Sequence, residues 1–211
     1  RYMKSQLLSL IRFNALVICS IGLIYTVSIC THNKESRKKQ HYTVNTINHE
    51  VNGNECIQDT FIEYIKTVEN GNKTGFNTSN NRWMPHESIE GGSYTIAYGH
   101  KIQKNETYLM NGITDDEAII LLKNDIYKAR IKARVEIDNK YGTGTFESLP
   151  IKHQEMLIDF VFNLGGLRKF PNLTMGIVDN NKHIICKEYK RYSSGKELIG
   201  RNRAFHSRFL Q

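Results

Sequence analysis

Residues 90–101 read EGGSYTIAYGHK. Tyr94, Ile96 and Tyr98 alternate with Thr95, Ala97 and Gly99, the period of a half-buried strand. Gly91, Gly92 and Gly99 interrupt it. Glycine weakens a strand, so a glycine-rich one marks a place where a ligand or a second backbone comes close. The segment therefore predicts a strand in a small antiparallel sheet, with Glu90 at its edge and one side left open.

Working outward, Ile57, Phe61, Ile65 and Val68 recur at spacings of four, four and three, one face of an amphipathic helix running to about Glu69. NGNKTG stops it, and residues 70–93 are loop-rich, with Trp83 and Pro85 as packing points. Downstream, Thr114 with Glu117 forms a capping box. The helix it opens should turn Ala118, Leu121, Leu122, Ile126, Ala129 and Ala133 inward. SLP begins another from about Lys152, whose set Met156, Leu157, Phe160, Val161 and Leu164 is nearly continuous and marks a central, buried helix ended by Gly165-Gly166. Shorter helices are expected over Leu173–Val178, His183–Tyr192 and the terminal RNRAFHSRFL. The fold class is α+β: a leading helix, a small antiparallel sheet and a helical lobe, with a cleft between sheet and helices as the place for a site.

The N-terminal part differs. Residues 13–30, FNALVICSIGLIYTVSIC, form the one strongly apolar run, read as an uncleaved anchor or signal-anchor helix over 1–31, with a signal sequence or a buried helix as alternatives. A polar linker, 32–55, leads to a globular domain, 56–211. The flanking lysines and arginines nearly balance and leave the topology open.

The 211 residues carry a net charge of +8 and a pI near 9.3, which suits a polyanionic partner or simply a solvated face. The basic residues are scattered, and no zinc-finger spacing, P-loop or GxGxxG is present. The terminal helix, with Arg201, Arg203 and Arg208, is the sole candidate for nucleic acid, and no nucleic-acid partner is expected. Cys19, Cys30, Cys56 and Cys186 include no CxxC, so no metal is expected; a Cys56–Cys186 disulfide and two unrelated thiols both fit.

Glu69 ends an apolar helix face. Partial burial and the negative end of the helix dipole would both raise its pKa, the condition for a general acid in glycoside cleavage. Glu90 and Thr95 could supply a second carboxylate and a hydroxyl to hold water. Glu87 rivals Glu90 for that part. Taken singly, these residues fit a solvated helix end or turn better than a catalytic role.

Together they carry a resemblance. Glu at the end of a first helix followed by YTIAYGHK resembles the phage-type lysozymes of glycoside hydrolase family 24. GITDDEAIILLKNDI, LPIKHQEMLIDFVFNLGG and GRNRAFHSRFL are similar to the family's capped, central and closing helices, in order, over roughly 57–211. The resemblance implies a lysozyme-like fold and a muramidase, cleaving the β-1,4 bond between N-acetylmuramic acid and N-acetylglucosamine without metal or cofactor. Carried over, the family's Glu is Glu69 and its Thr is Thr95. Its middle acidic position falls on Ile89, so Glu90 is the substitute, reached through a longer loop. Gly92, Tyr98, His100 and Asn163 would line the substrate site, with His100 alternatively structural. The implied partners are bacterial peptidoglycan, a membrane through the N-terminal helix and other virion proteins, in the periplasm or cell wall, for lysis or envelope penetration. A lytic transglycosylase of the same fold, or a wall-binding component without catalysis, are the alternative readings.

Overall fold

The computed structural model describes residues 57–88 and 92–211. The apolar run, the linker, Cys56 and Glu90 lie outside the described residues. The first helix, α1 (Asp59–Asn70), buries Phe61, Ile62 and Ile65, while Val68 is only half-buried. Asn70 ends it. Its Oδ1 accepts from Thr74 N–H at 2.8 Å, and its Nδ2 donates to the carbonyls of Thr74 at 2.9 Å and Ala97 at 2.8 Å. One side chain thus closes the helix and fastens it to a turn 27 residues away.

Five short strands follow. β1 (Phe76–Asn77) pairs with β2 (Arg82–Trp83), and β3 (His86–Glu87), β4 (Tyr94–Ile96) and β5 (His100–Lys101) form an antiparallel sheet in that order. YTIAYGHKI, expected as one strand, is a hairpin. Ala97, at φ 54°, and Gly99, at φ 84°, both take left-handed backbone, which reverses the chain and pairs Ile96 with His100. Trp83 is fully buried and anchors this region. Its ring packs on Phe76 and Tyr98 at 5.1 and 5.0 Å, and its Nε1 donates to Asp115 at 2.8 Å.

Helices make up the rest. In α2 (Asp115–Tyr141) the capping box forms as expected: Glu117 N–H donates to Thr114 Oγ1 at 3.2 Å, and Thr114 N–H to Glu117 Oε2 at 2.8 Å. Ala118, Leu122, Ile126, Ala129 and Ala133 turn inward; Leu121 is half-buried. After the short α3 (Thr145–Ser148), α4 (Ile151–Leu164) runs through the core, with every residue from His153 to Val161 buried, and packs on α2. Gly165, at φ 76°, ends it. Next come α5 (Pro171–Val178), α6 (Lys182–Glu188), the hairpin of β6 (Tyr192–Ser193) and β7 (Lys196–Glu197), and α7 (Ile199–Phe209). The helix expected to reach Tyr192 stops at Glu188, because Arg191 must leave the helical path to enter the core, where Asn202 Oδ1 accepts its N–H at 2.9 Å. The architecture is α+β, with small antiparallel sheets beside a larger helical part. Among the described residues no helix is long and apolar enough to cross a membrane.

His100 joins sheet to helix. Its Nδ1 lies 2.6 Å from Asp125 Oδ2 on α2 and its Nε2 2.9 Å from Glu106 Oε2. Burial alone would lower its pKa, but the two carboxylates outweigh burial and hold it above 6.5. Asp125 and Glu106 are desolvated yet lowered on balance, chiefly through His100 and, for Glu106, the Gln103 N–H. A raised histidine stabilises below its unfolded pKa and stops doing so as pH rises through the folded value; lowered carboxylates stabilise above their unfolded pKa and stop as pH falls. The cluster should therefore contribute most between about pH 4.5 and 6.5. His100→Asn should cost on the order of 3 kcal/mol there and markedly less at pH 9, as read by urea unfolding. A pH-independent loss would contradict the ion-pair account.

Candidate active site

A carboxylate embedded in an apolar helix face needs a partner. Asp159, in the middle of α4, has no exposure at all. Two arginines reach it: the Nη2 of Arg191 donates to Oδ2, and Nη1 of Arg201 stands 3.6 Å from Oδ1. The Nη2 of Arg201 donates to Glu69 Oε1. The result is an alternating row, Glu69–Arg201–Asp159–Arg191, that runs from the end of α1 through α7 and α4 to the residue before β6. Aromatic faces enclose it: the Arg191 guanidinium lies 3.8 Å from the Phe160 ring centroid and 5.0 Å from that of Phe205. Asn163 Oδ1 accepts from Arg191 Nη1 at 3.5 Å.

Glu69 is the outer member. Burial raises its pKa above 4.5, and the adjacent Arg201, which favours the carboxylate, offsets this only in part. One oxygen is engaged by Arg201. The other, Oε2, faces Gly99, where an added Cβ would stand 3.6 Å from it. Gly99 thus does what its place in the opening segment suggests, bringing the hairpin turn against a glutamate.

The sheet sorts the remaining residues. Cross-strand partners share a face and successive residues alternate. Thr95 is paired with His86 and Glu87 with Tyr94, so Glu87 lies on the face opposite Thr95 and cannot work beside it. Glu90 falls outside the described residues. His86, unremarked in the sequence, is the group that meets Thr95: its Nε2 is 3.2 Å from Thr95 Oγ1, and its Nδ1 is buried without a hydrogen-bond partner. Only the register of the hairpin around ESIEGG could have exposed that pair, and the register follows from turn length.

Of the expected substrate contacts, Gly92 is exposed, with φ 70° and nothing within 4 Å of an added Cβ. Asn163 is half-buried beside Arg191. Tyr98 and His100 are both buried. The reversal at Ala97–Gly99 drives Tyr98 into the core against Trp83, with its hydroxyl pKa pushed up to about 12, mainly by burial. Both ring nitrogens of His100 are occupied by carboxylates. Arg201 and Arg208, two of the three arginines weighed for nucleic acid, are paired internally, Arg208 with Glu155 at 2.9 Å. Cys186 is an exposed thiol. Among the described residues no group of His, Cys, Asp or Glu is arranged to hold a metal ion.

No family model, curated protein or solved structure matches this chain.

The charged row makes a prediction that is independent of any activity. Arg201 holds the Glu69 pKa down while burial holds it up. In ¹³C-detected titrations the Glu69 carboxyl should titrate above 4.5 in the parent and higher still in Arg201→Met. A folded pKa above the unfolded one makes Glu69 a source of stability that fades as pH rises through the folded value. Glu69→Gln should therefore gain relative to the parent between pH 4 and pH 7 in denaturant unfolding. Equal differences at both pH values would show that the carboxyl is not perturbed.

Proposed function

We propose that residues 57–211 form a peptidoglycan-cleaving glycosidase, a muramidase acting on the bond between N-acetylmuramic acid and N-acetylglucosamine. The observation that carries this reading is Glu69: a largely buried carboxyl with a raised pKa, one oxygen tied to Arg201 and the other turned to a glycine-backed turn. A carboxyl whose pKa is raised by burial holds its proton more firmly than a free one and can deliver it to a glycosidic oxygen as the bond breaks. Arg201 fixes the orientation of the carboxyl and then stabilises the carboxylate that remains after proton transfer.

The attacking water falls to Thr95. Its hydroxyl is held by His86, which fixes the rotamer and leaves an oxygen lone pair free to accept from a water. Glu90 is assigned to assist there. The motif order from the leading helix to the closing arginine-rich helix supports the same reading. No metal or cofactor enters the scheme. The place of action is the bacterial wall, reached by phage-driven lysis or envelope penetration, with the N-terminal apolar run as membrane anchor and virion proteins as further partners.

The lytic transglycosylase alternative uses the same acid but lets a hydroxyl of the sugar attack. Mass spectrometry of digested peptidoglycan separates the two: reducing ends for a hydrolase, anhydro ends for a transglycosylase. Glu69→Gln should lower the digestion rate by at least about 10²-fold. Undiminished clearing by Glu69→Gln would sink the enzymatic reading and leave a wall-binding component. Thr95→Val should lower kcat about tenfold or more with little change in KM, the pattern expected for a group that acts in the transition state. His86→Ala added to Thr95→Val should then cost nothing further, because His86 works through the Thr95 hydroxyl.

A further inference from the structure

Beyond the end of α4 the surface carries two adjoining hollows that the catalytic scheme leaves unused. The first encloses about 490 Å³ and is bordered by Lys132, Arg168, Lys169, Phe170 and Tyr192. The second, about 450 Å³, shares Glu136 and Arg168 with it and continues past Lys140 to Thr174. The shared residues make one groove between α2 and the segment that leads into α5.

Its charge is one-sided. Lys132, Arg168 and Lys169 are exposed and have no ion-pair or hydrogen-bond partner among the described residues. The one carboxylate in the groove is already committed. Glu136 Oε2 accepts the Leu167 N–H at 2.6 Å, and its Oε1 lies so close to Gly166 that an added Cβ would come within 2.9 Å. Glu136 thus shapes the loop, and as the one lining carboxylate it stands against four lining cations, Lys132, Lys140, Arg168 and Lys169, so the groove is positive on balance. Unpaired cations around a concavity raise the local concentration of anions. The exposed Tyr192 and the half-buried Phe170 add flat apolar walls suited to a sugar or other ring.

The groove also adjoins the charged row. Tyr192 follows Arg191 in the chain and Leu164 follows Asn163, so its wall starts one residue from Arg191 and one from the asparagine that accepts from it.

We propose that this groove binds the anionic substituents of the wall polymer, carboxylate or phosphate, while the glycan backbone lies at Glu69. The proposal rests on the muramidase reading for the identity of the polymer. Arg168, shared by both hollows, contacts the anion in either, and the aromatic walls bound the sugar that bears it.

The test uses the full chain carrying Glu69→Gln, so that binding is measured without cleavage, and purified peptidoglycan sacculi in a cosedimentation assay over a salt series. Lys132→Gln, Arg168→Gln and Lys169→Gln together should weaken binding about tenfold or more and flatten its salt dependence. Neutralising Lys104, Lys123 and Lys187, exposed cations outside the groove, should have a much smaller effect. Sacculi stripped of phosphate polymers and sacculi with amidated carboxyls identify the source, since the groove variant should lose its disadvantage on whichever treatment removes the anion. Unchanged affinity and salt slope in the groove variant would overturn the proposal, as would a loss equalled by the control triple. A variant that loses duplex DNA binding but keeps sacculus binding would also overturn it, and would point to nucleic acid as the ligand. The muramidase reading fails separately, if the chain with Glu69 intact leaves sacculi undigested.

Discussion

Asp159 is the constraint on which the rest of the structure turns. A carboxylate with no solvent exposure in the middle of α4 is unfavourable by several kcal/mol unless its charge is met at close range. Arg191 meets it directly and Arg201 stands at 3.6 Å. Three consequences follow. The chain must leave its helical path after Glu188 to bring Arg191 inside. The terminal helix α7 must be placed so that Arg201 points at α4. And Arg201, held by Asp159 on one side, presents its other nitrogen to Glu69. The orientation of the outermost carboxyl is therefore set by a buried charge.

This arrangement also explains why Glu69 can be both paired and hard to ionise. A carboxylate beside an arginine ordinarily has a lowered pKa. Here Arg201 divides its attraction between two acids, and the repulsion from Asp159 adds to the cost of burial at Glu69. Burial then prevails. The inner acid adds a smaller contribution in the same direction as burial.

The architecture was largely legible in the sequence, and the reasons are physical. Helical period, the Thr114–Glu117 box and the glycines after Leu164 are local signals, and each element they mark is present within a few residues. A close approach at the glycines was legible too, since a glycine among strand residues asks what stands opposite; that Glu69 stands opposite Gly99 came from the structure. What escaped reading was pairing. YTIAYGHKI looks like one strand because alternation does not reveal a reversal; the left-handed backbone at Ala97, a non-glycine residue, is strained and is sustained by Asn70 and the surrounding core rather than announced by composition. With the reversal hidden, the burial of Tyr98 and His100 could not be read from the alternation. His86 and Asp159 were overlooked for a related reason: each derives its part from a partner in another segment, nine residues away for His86 and 32 for Asp159.

One signal was nevertheless available. Asp159 sits within the run Met156–Val161, where every neighbour is apolar. An acid there has two outcomes: it is neutralised by a cation from elsewhere in the chain, or the helix cannot be buried. The nearly continuous apolar set already required burial, so a distant cation had to exist. The same reasoning applies to the surface. Lys132, Arg168 and Lys169 outnumber the one acid beside them, Glu136, whose Oε2 is tied to the loop at Leu167. A buried acid recruits cations inward to complete the core, whereas cations in excess of the nearby acids stay at the surface.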